Sequence, residues 1–515
     1  MDTKALRQKI LDLAIRGKLV PQDPNDEPAS VLLEKIREQK QQMFKEGKLK
    51  KKDIKNDSII FKGEDNLHYE KFQDGTVKCI EDEIPFEVPE GWEWARLGCI
   101  TDVIQYGLSN SAESTGDYRL LRITDIQNGC VNWDTVPFTC TDEPEKYLLH
   151  KNDIVFARTG ATVGKSFLIT DLPYASVYAS YLIRIRLIKG ISSNYIYQFF
   201  NSYCYWEQVT DKAIGVGQPN CNGTALKELF IPLPPQAEQN RIVPVANNLL
   251  KIVDIITFER ESLSELIQTT KSKILDLAIR GKLVPQDPDD EPASVLLERI
   301  RAEKKELIKQ GKIKRDKKES VIFKGDDNSY YEKVGNKVNC IDEEIPFELP
   351  EGWAFIRLKT AWKLISGRDL SSSEYSDKND GIPYITGASN FRNGHISLVR
   401  WTTVPKVISL KGDLLLTCKG TIGEIAYNNF GEAHIARQIM AIRNIYSLNV
   451  DFLALCIEYS MLKIKQAAKG LIPGISREDI LNLVIPIPPT KEQENICNKL
   501  KVTFSAIEHI EKSLN

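Results

Sequence analysis

The chain has 515 residues, of which 42% are hydrophobic and 27% are charged, and its formal net charge is −2. This length predicts several domains, and this composition is typical of folded domains and excludes general disorder. The near-neutral charge is unusual for a protein that binds nucleic acid unaided, because neutralisation of phosphates supplies much of the affinity, so such binding requires localised basic residues or partner subunits.

Residues 1–20 do not resemble a secretory signal, because charged residues interrupt apolar residues that are spaced as on one helix face. No apolar run is long enough to cross a bilayer. The ten cysteines and five histidines are scattered, without a CxxC pair or an HExxH motif. We therefore expect a cytoplasmic protein with reduced, mostly buried thiols and no metal site.

An internal repeat dominates the sequence. Residues 9–34 and 273–298 differ at a single position, Asn25 against Asp289. Looser similarity continues through two hairpin-like segments, IIFKGEDN and VIFKGDDN, and ends with IPFEVPEGWEWARL and IPFELPEGWAFIRL. Repeats of this kind indicate one structural frame that occurs twice.

Two divergent inserts interrupt this frame, at 98–230 and 359–484. Likeness returns immediately after each insert, in FIPLPPQAEQNRI and VIPIPPTKEQENI. General drift after duplication would be spread along the chain, whereas here near-identity stops abruptly. The pattern therefore predicts two inserts with different functions on one scaffold.

Residues 236–281 are predicted to form one long helix. Their apolar residues recur at spacings of three, four and seven, which is typical of a coiled-coil seam. Gly281 suits the position after the helix end, whereas Pro244 must lie in the first turn or kink the helix. The predicted seam consists of Ile242, Val245, Leu249, Ile252, Ile256, Leu263 and Leu266.

The C-terminal segment 490–515 has the same pattern, with Ile496, Leu500, Ile507, Ile510 and Leu514. It matches the first part of the central helix, and residues 1–17 match the last part, so that together the ends lack only the equivalents of 262–264. We therefore predict a circular arrangement, in which the terminal segments meet and pack antiparallel to the central helix. The alternative is that the ends are truncated copies.

A second frame helix is predicted at about 28–46 and 292–310, after a turn rich in proline and aspartate. Basic runs follow at 45–55 and 309–318. Such runs are usually solvated segments, and the alternative is contact with phosphates or with a partner.

Each insert contains an alternating strand and a glycine turn, DIVFARTGATVGKS at 153–166 and DLLLTCKGTIGEIA at 413–426. A strand in which apolar residues alternate with arginine follows, and this alternation predicts half-buried sheets. The predicted fold class is α/β with α+β modules. The predicted segments are an N-terminal frame segment with its arm, a first module, the central helix, a repeated arm, a second module and a C-terminal helix, at 1–83, 84–235, 236–283, 284–344, 345–489 and 490–515.

The order of PEGW, a GDILLxRxGxxxGK-like hairpin and IPIPPxxEQ before a long helix resembles the target-recognition domains of type I restriction–modification specificity subunits, twice over essentially the whole chain. The resemblance implies two target-recognition domains joined by long antiparallel coiled-coil helices in a pseudo-twofold circular arrangement. Each domain would read one half of an asymmetric, bipartite DNA target, with the helices as a ruler between the halves.

The resemblance also implies partners. These are double-stranded DNA, modification (methyltransferase) subunits, expected to number two, that methylate adenine at N6, and restriction (motor–nuclease) subunits. The partner subunits would use S-adenosylmethionine, ATP and Mg²⁺, and this chain would hold no cofactor.

The hairpin ARTGATVGKS does not match a nucleotide-binding P-loop. That motif requires four residues between its glycines, whereas Gly160 and Gly164 enclose three, and Glu424 replaces the lysine in the second hairpin. One interpretation is a tight turn that presents side chains to DNA, and the other is an ordinary glycine hairpin.

Candidate DNA contacts lie in these hairpins and in polar loops, because arginine suits guanine whereas asparagine and glutamine suit adenine. In the first insert they are Tyr106, Ser109, Asn110, Arg119, Arg122, Arg158, Thr159, Thr162, Lys165, Tyr178, Tyr181, Gln218 and Asn220. In the second insert they are Arg368, Tyr384, Thr386, Ser389, Asn390, Lys419, Thr421, Arg437, Gln438 and Ser476.

Catalytic motifs are missing from the sequence, including the [DN]PP[YFW] tetrapeptide of amino-methyltransferases, a glycine-rich cofactor loop and a nuclease carboxylate–lysine cluster. We therefore predict a non-catalytic, sequence-specific DNA-binding specificity subunit. The alternatives are a self-sufficient DNA-processing enzyme, such as a nuclease, with an unrecognised active site, and a coiled-coil scaffold that does not bind DNA.

Overall fold

The computed structural model describes residues 2–127, 129–212, 220–313, 319–392, 394–446, 448–467 and 474–514. The chain divides into two compact units, Met1–Arg260 and Glu261–Asn515. Each unit combines a copy of the frame with one insert, and we call the inserts with their flanking edges module 1 (84–235) and module 2 (345–489). Both units contain helices and small sheets, so the predicted fold class is confirmed. No helix in the described residues has the length and apolar character needed to cross a membrane.

The first unit begins with frame helices and continues into the sheets of module 1. Its helices are α1 Thr3–Ile15, α2 Ala29–Lys45, α3 Lys51–Ile54, α4 Leu97–Ile100, α5 Pro144–Tyr147, α6 Ser193–Phe199, α7 Tyr203–Lys212 and α8 Gly223–Lys227. Its strands are β1 Ser58–Lys62, β2 His68–Phe72, β3 Val77–Cys79, β4 Glu93–Arg96, β5 Thr101–Tyr106, β6 Tyr118–Leu121, β7 Ile126–Gln127, β8 Cys130–Val131, β9 Phe138–Thr139, β10 Ile154–Ala157, β11 Ser166–Leu168, β12 Ser176–Tyr178, β13 Leu182–Leu187 and β14 Phe230–Leu233.

The central helix is α9, Gln236–Ile279, and the second unit follows a similar order of elements to the first. Its other helices are α10 Ala293–Lys309, α11 Leu358–Ala361, α12 Val450–Ala467, α13 Arg477–Leu481 and α14 Thr490–Leu514. Its strands are β15 Ser320–Lys324, β16 Tyr330–Val334, β17 Lys337–Cys340, β18 Ala354–Arg357, β19 Trp362–Ser366, β20 Ile382–Ile385, β21 Phe391–Arg392, β22 His395–Ile396, β23 Trp401–Thr402, β24 Ile408–Ser409, β25 Leu414–Thr417, β26 Ile425–Tyr427, β27 Ala433–Ile435, β28 Ile439–Asn444 and β29 Val484–Ile487. Strand β24 stands in the place of α5, and α12 stands in the place of α6 and α7.

Helix α9 ends as predicted. Gly281 has φ of +66°, and the backbone N–H of Lys282 donates to the carbonyl of Leu277 at 2.8 Å, which closes a Schellman turn. Gly17 repeats this geometry after α1, with φ of +65°. Pro244 lies inside the helix and not in its first turn.

The terminal segments run antiparallel to α9 within each unit. In the first unit, Arg7 pairs with Asp254 and Asp26 pairs with Arg241. In the second unit, Glu511 pairs with Lys271 and Lys491 pairs with Asp287. The predicted antiparallel packing is therefore confirmed in each unit, while the meeting of the two chain ends stays a prediction.

The predicted seam of α9 is wrong at Val245, Leu249, Ile252 and Leu266, whose side chains are exposed, Leu266 to 59%. The buried stripe is rotated relative to it and consists of Ile242, Ala246, Val253, Ile267, Leu275, Ala278 and Ile279. In α14, Ile496 and Leu500 are buried and Ile507 is half-buried, but Ile510 is exposed, and the side chain of Leu514 lies outside the described residues. A single neighbouring helix can bury only a narrow stripe of each helix, and the apolar residues of α9 and α14 form a wider one.

Both arms of the frame are small antiparallel sheets, β1–β2–β3 and β15–β16–β17. Each is fixed to its module by a buried ion pair, Arg96 with Glu70 in the first unit and Arg357 with Glu332 in the second, with Nη2–Oε2 distances of 2.7 Å in both. The basic run 45–55 continues from α2 through α3, and the run 309–318 lies partly outside the described residues.

Each insert is closed where it leaves the frame. Strand β4 pairs with β14 in module 1, and β18 pairs with β29 in module 2, so that the entry and exit strands are neighbours. Beside these strands, Trp92 Nε1 donates to Glu238 Oε2 and Trp353 Nε1 donates to Glu492 Oε2, both at 2.8 Å. The PEGW and EQ motifs therefore form one structural clasp at each module.

The main sheets of the two modules have the same topology despite their divergent sequences, whereas the second sheet has three strands in module 1 and four in module 2. Each has a four-stranded antiparallel sheet, in the order β11–β10–β13–β5 in module 1 and β26–β25–β28–β19 in module 2. Each also has a second sheet with one parallel pair, β12 with β6 or β27 with β20. The core of each module lies on the buried strands β10 and β13, or β25 and β28, with α6 and α7 or α12 packed against them.

Candidate nucleic-acid interface

Several strand ends of module 1 meet at one edge, which we call the strand-end rim. The backbone N–H groups of Gly107, after β5, and Leu108 donate to the carbonyls of Leu182 at 3.2 Å and Tyr178 at 2.8 Å. The N–H of Arg158, after β10, donates to the carbonyl of Tyr181 at 3.1 Å. The ends of β5, β10 and β12 and the start of β13 therefore lie together.

Module 2 has the same rim. The N–H groups of Gly367 and Arg368, after β19, donate to the carbonyls of Ile439 at 3.0 Å and Ile435 at 2.9 Å. The N–H of Cys418, after β25, donates to the carbonyl of Gln438 at 2.8 Å. These are the hydrogen bonds of module 1, transferred to a chain segment with little sequence likeness.

The equivalent backbone hydrogen bonds show which positions of the two rims correspond. The side chains at corresponding positions differ in chemistry: Leu108 corresponds to Arg368, Thr159 to Lys419, Ser180 to Arg437, and Tyr181 to Gln438. A common backbone that presents different side chains is suited to docking on one kind of surface while reading different features of it.

Glycine is required where β5 and β19 enter the rim. A Cβ atom on Gly107 would lie 2.2 Å from the carbonyl oxygen of Tyr178, and one on Gly367 would lie 2.1 Å from the carbonyl oxygen of Ala436. Any side chain would therefore push these strand ends apart.

Several predicted residues of module 1 lie at its rim. The Arg158 guanidinium lies 5.0 Å from the Tyr106 ring centroid and donates from Nε to the carbonyl of Ser180 at 3.0 Å, so its position is fixed. Tyr181 is 62% exposed. Thr159 pairs with Asn220 in an isolated bridge.

The other predicted residues of module 1 lie around this group. Ser109 and Lys165 are exposed, and Thr162 lies in the adjoining glycine turn, where its hydroxyl donates to the carbonyl of Thr159 at 3.3 Å. Arg122 follows β6 and pairs with Asp125 at 2.7 Å, which raises the pKa of the guanidinium. Asn110 Nδ2 donates to the carbonyl of Cys140 at 2.7 Å.

In module 2 the rim is more cationic. Arg368, Lys419 and Arg437 are exposed, and Arg437 Nε pairs with Asp369 Oδ2 at 2.7 Å. Gln438, Thr421 and Ser389 are exposed, whereas Thr386 is half-buried where β20 ends. Ser476 caps α13, where its hydroxyl accepts the N–H of Asp479 at 3.2 Å.

Three predicted contacts need correction, because the side chains of Tyr178, Tyr384 and Asn390 are buried. The Tyr178 hydroxyl donates to the carbonyl of Gln105 at 3.2 Å, and burial raises its pKa. The Tyr384 hydroxyl accepts the N–H of Leu370 at 3.3 Å. Asn390 Oδ1 accepts two donors of Thr386, its N–H at 2.9 Å and its hydroxyl at 3.0 Å. These groups hold the rim and do not face solvent.

Arg119 is not brought to the rim. It lies at the start of β6, donates to the carbonyl of Val136 at 2.6 Å, and stacks over Phe138 with 3.9 Å between guanidinium carbon and ring centroid. Gln218 lies outside the described residues.

One pair of exposed features was missed in the sequence. Each module has a two-residue β-hairpin, β7–β8 and β21–β22, after the strand that enters the second sheet. Gln127 flanks the first turn and Arg392 and His395 flank the second, and all three are exposed. An Asn-Gly dipeptide stands at each of these points in the sequence, and it is a strong hairpin signal that could have located them.

The comparisons with known proteins identify the class of this chain. The family model for the type I restriction modification DNA specificity domain matches residues 89–265 and 350–515, which contain both rims. The chain therefore belongs to this family of DNA specificity proteins.

Two curated relatives extend the likeness to nearly the full chain. The chain is 26% identical to the type I restriction enzyme EcoAI specificity subunit of Escherichia coli, with 97% of the chain and 90% of the relative covered. It is also 26% identical to the EcoEI specificity subunit of Escherichia coli, with 99% and 90% covered. A solved chain from a study of assembly and conformational transition of the type I R-M system shares the fold, with a TM-score of 0.54, 19% identity, and 84% of this chain and 94% of that chain covered.

Proposed function

We propose that this chain, as a DNA specificity subunit of a type I restriction–modification system, reads an asymmetric bipartite target, one half with each module. The observation that carries this proposal is the shared backbone of the two rims with different side chains, such as Tyr181 against Gln438. A tyrosine and a glutamine offer different donors, acceptors and apolar surface to base edges, so equal docking would give two different half-sites.

Both rims carry cationic side chains although the chain as a whole carries a net charge of −2. Module 1 contributes Arg158 and Lys165, and module 2 contributes Arg368, Lys419 and Arg437. This is too few cations for strong phosphate binding by the chain alone. Tight binding of double-stranded DNA therefore belongs to the assembled complex, in which partner subunits supply further phosphate contacts.

The central helix sets the distance between the two half-sites. Its 44 residues span ~66 Å at ~1.5 Å per residue. Half-sites read from one side of the duplex lie about one turn, or ~34 Å, apart. A helix of this length is long enough to hold two readers at that separation.

The partners are modification subunits, two per chain, and restriction subunits. The modification subunits dock on the repeated frame and methylate adenine at N6 in the selected target. The restriction subunits add cleavage. Each copy of the frame has the same pair of stacked aromatic rings at its surface, Phe61 with Tyr69 and Phe323 with Tyr331, with 5.9 Å between ring centroids in both. This repetition supports two equivalent docking positions.

The chemistry belongs to these partners. S-adenosylmethionine serves the modification subunits, and ATP and Mg²⁺ serve the restriction subunits, while this chain selects DNA without catalysing a step. The purified chain, incubated with DNA and Mg²⁺, is therefore expected to leave the DNA intact, and cleavage that copurifies with the chain would contradict this assignment.

The test is the methylome of a host that carries this chain with its cognate modification subunit. We expect one bipartite methyl-adenine motif with two different halves. Replacement of module 2 by a second copy of module 1, joined at the PEGW and IPxPP edges, should give a motif built from one half-site twice. A continuous motif, or none with an intact complex, would overturn the proposal.

A further inference from the structure

The first arm brings a buried histidine and two glutamates together. His68 lies on β2, Glu81 lies in the turn after β3, and Glu87 lies in the segment that leads to the PEGW motif. One ligand atom from each residue lies within 4.8 Å of the other two, and His68 Nδ1 is 2.7 Å from Glu81 Oε2. His68 is only 5% exposed, so its imidazole is held in one place.

The second arm has the same geometry without the imidazole. Tyr330 occupies the position of His68, and its backbone N–H donates to Asp342 Oδ1 at 2.5 Å, as the N–H of His68 donates to Glu81 Oε2 at 2.8 Å. The exposed ion pair of Lys62 with Glu87 in the first arm is also repeated, as Lys324 with Glu348. The chain therefore contains its own comparison, in which Tyr330 replaces the nitrogen ligand His68 and the shorter carboxylate Asp342 replaces Glu81.

We propose that the first arm binds one divalent cation of the zinc class through His68, Glu81 and Glu87, and that the second arm does not. Imidazole nitrogen with carboxylate oxygens is a ligand set that Zn²⁺ accepts, and three protein ligands leave a fourth position for water. The tyrosine in the second arm removes the nitrogen ligand.

The surroundings of the three residues allow such an ion to enter. Two of them, His68 and Glu87, line a cleft of about 560 Å³ whose wall also includes Glu93 and Trp94. Trp94 Nε1, in the wall of the same cleft, is buried and has no hydrogen-bond partner among the described residues, and a hydroxide or other anion in the open position of the cation would bring an acceptor into this cleft. Lys62 Nζ, 3.1 Å from Glu87 Oε2, must move aside, and both side chains are exposed enough to do so.

A cation here would join three separate pieces of the chain: the β2 strand, the turn after β3 and the lead into β4. It would therefore pin the first arm to the entry of module 1, and the stability of the first unit would rise with the logarithm of the metal concentration once that concentration exceeds the Kd. The second arm would gain nothing from the metal.

The test compares the chelator-treated full chain with the His68→Tyr variant, in Zn²⁺ titrations by calorimetry and in thermal unfolding. The variant carries the residue that the second arm already accommodates, so an unchanged Tm without metal is its control for folding. We expect the variant to lose one equivalent of bound Zn²⁺ and the metal-dependent rise in Tm. Equal stoichiometry and equal Tm shifts in both proteins would overturn the proposal.

Two further measurements separate this site from adventitious binding by exposed cysteines. Glu87→Gln should weaken the same equivalent by about 10-fold or more, since loss of even an outer ligand partner costs that much. Co²⁺ bound in place of Zn²⁺ should give weak visible bands without thiolate charge-transfer absorption. A thiolate spectrum for the equivalent lost in His68→Tyr would assign the metal to cysteine and overturn the proposal.

Discussion

Arg186 and Asp153 form a two-point ion pair at the strand ends of β10 and β13 that lie opposite the rim of module 1, with Nε to Oδ1 and Nη2 to Oδ2 both at 2.7 Å. The Asp153 carboxylate is buried and also accepts the N–H of His150 at 2.8 Å. Arg443 and Asp413 form the same pair in module 2. The two modules therefore share a buried charge pair at the start of the strand that ends in the rim.

Replacement of Arg186 by leucine is expected to destabilise module 1 strongly. The buried Asp153 carboxylate would lose its counter-charge, and breaking a buried pair in this way costs about 3–5 kcal/mol. Urea unfolding of the full chain, followed by tryptophan fluorescence, measures this loss. Lys35→Ala, which breaks an exposed pair with Glu27, is the control and should cost less than about 1 kcal/mol. Similar losses in both variants would show that the Arg186 pair is not sealed from water.

Glu238 should make the stability of the first unit depend on pH. Burial raises the pKa of its carboxyl above the ordinary 4.5, although the hydrogen bond from Trp92 opposes the shift. The folded chain thus binds this proton more tightly than the unfolded chain, and the free energy of unfolding falls as the pH rises from 4.5 through the raised pKa.

Glu238→Gln keeps an oxygen acceptor for Trp92 and removes the titration. The free energy of unfolding of the variant minus that of the wild type should therefore increase between about pH 4 and pH 8. Urea titrations at several pH values measure this difference, in which the contributions of other carboxyls cancel. A difference that is flat or that decreases with pH would contradict the direction of the Glu238 shift.

Gly17→Ala should be more costly than Gly47→Ala. Both glycines have left-handed backbone, with φ of +65° and +74°, and alanine in that region costs about 1 kcal/mol. At Gly17 the new Cβ would also lie 2.5 Å from Pro89 Cγ, whereas at Gly47 it would meet nothing within 4 Å.

The collision at Gly17 adds about 1–3 kcal/mol of overpacking, which the difference between the two alanine variants isolates. Thermal and urea unfolding of both variants measure it. Equal losses of stability in the two variants would mean that Pro89 and Trp92 shift away without cost, and that their contact with Gly17 does not require glycine.

The sequence predicts the frame more reliably than the interface. Helix ends are local features, so Gly17 and Gly281 locate them, and the repeat identifies the clasp of Trp92 and Trp353. Which apolar stripe of α9 is buried depends on neighbours distant in sequence, and this is why Leu266 was placed on the wrong face. A periodic pattern shows that a helix has apolar residues, and it does not show how many of them the neighbours cover.

Three predicted contacts, Tyr178, Tyr384 and Asn390, are buried for a related reason. Tyr178 is a polar residue beside a turn, as Tyr181 is, but its hydroxyl donates to Gln105, far away in sequence, while Tyr181 is exposed. Only the folded backbone distinguishes the two. The equivalence of the rims was likewise hidden, because it rests on backbone hydrogen bonds and not on shared side chains.

Lys165→Ala and Lys419→Ala should weaken DNA binding by the assembled complex without changing the motif. Neither lysine forms an ion pair with a residue that the structure describes, so each is available for phosphate. Each lost phosphate contact should lower the slope of log K against log salt concentration by about 0.9.

Binding isotherms at several salt concentrations measure this slope, with Lys337→Ala on the second arm as a control that leaves it unchanged. Gln438→Ala should change the base preference in one half-site and have little effect on the slope. A lysine variant that alters the recognised bases, or leaves the salt dependence as it was, would contradict the phosphate assignment.

Insertion of seven helical residues after Leu266 should lengthen the gap between the half-sites and leave both half-sites unchanged. Seven residues add ~10.5 Å at ~1.5 Å each, or about 3 base pairs at ~3.4 Å, and two helical turns nearly restore the angle between the ends. The pairs of Arg7 with Asp254 and of Lys271 with Glu511 lie on either side of the insertion and are kept.

The methylome of a host with the insertion variant measures the new spacer directly. A five-residue insertion is the matched control, because it turns one end of the helix by about 140° relative to the other and should abolish methylation. Altered half-sites in the seven-residue variant would mean that the helix contributes to base recognition, and an unchanged spacer would mean that partner subunits, and not this helix, set the distance.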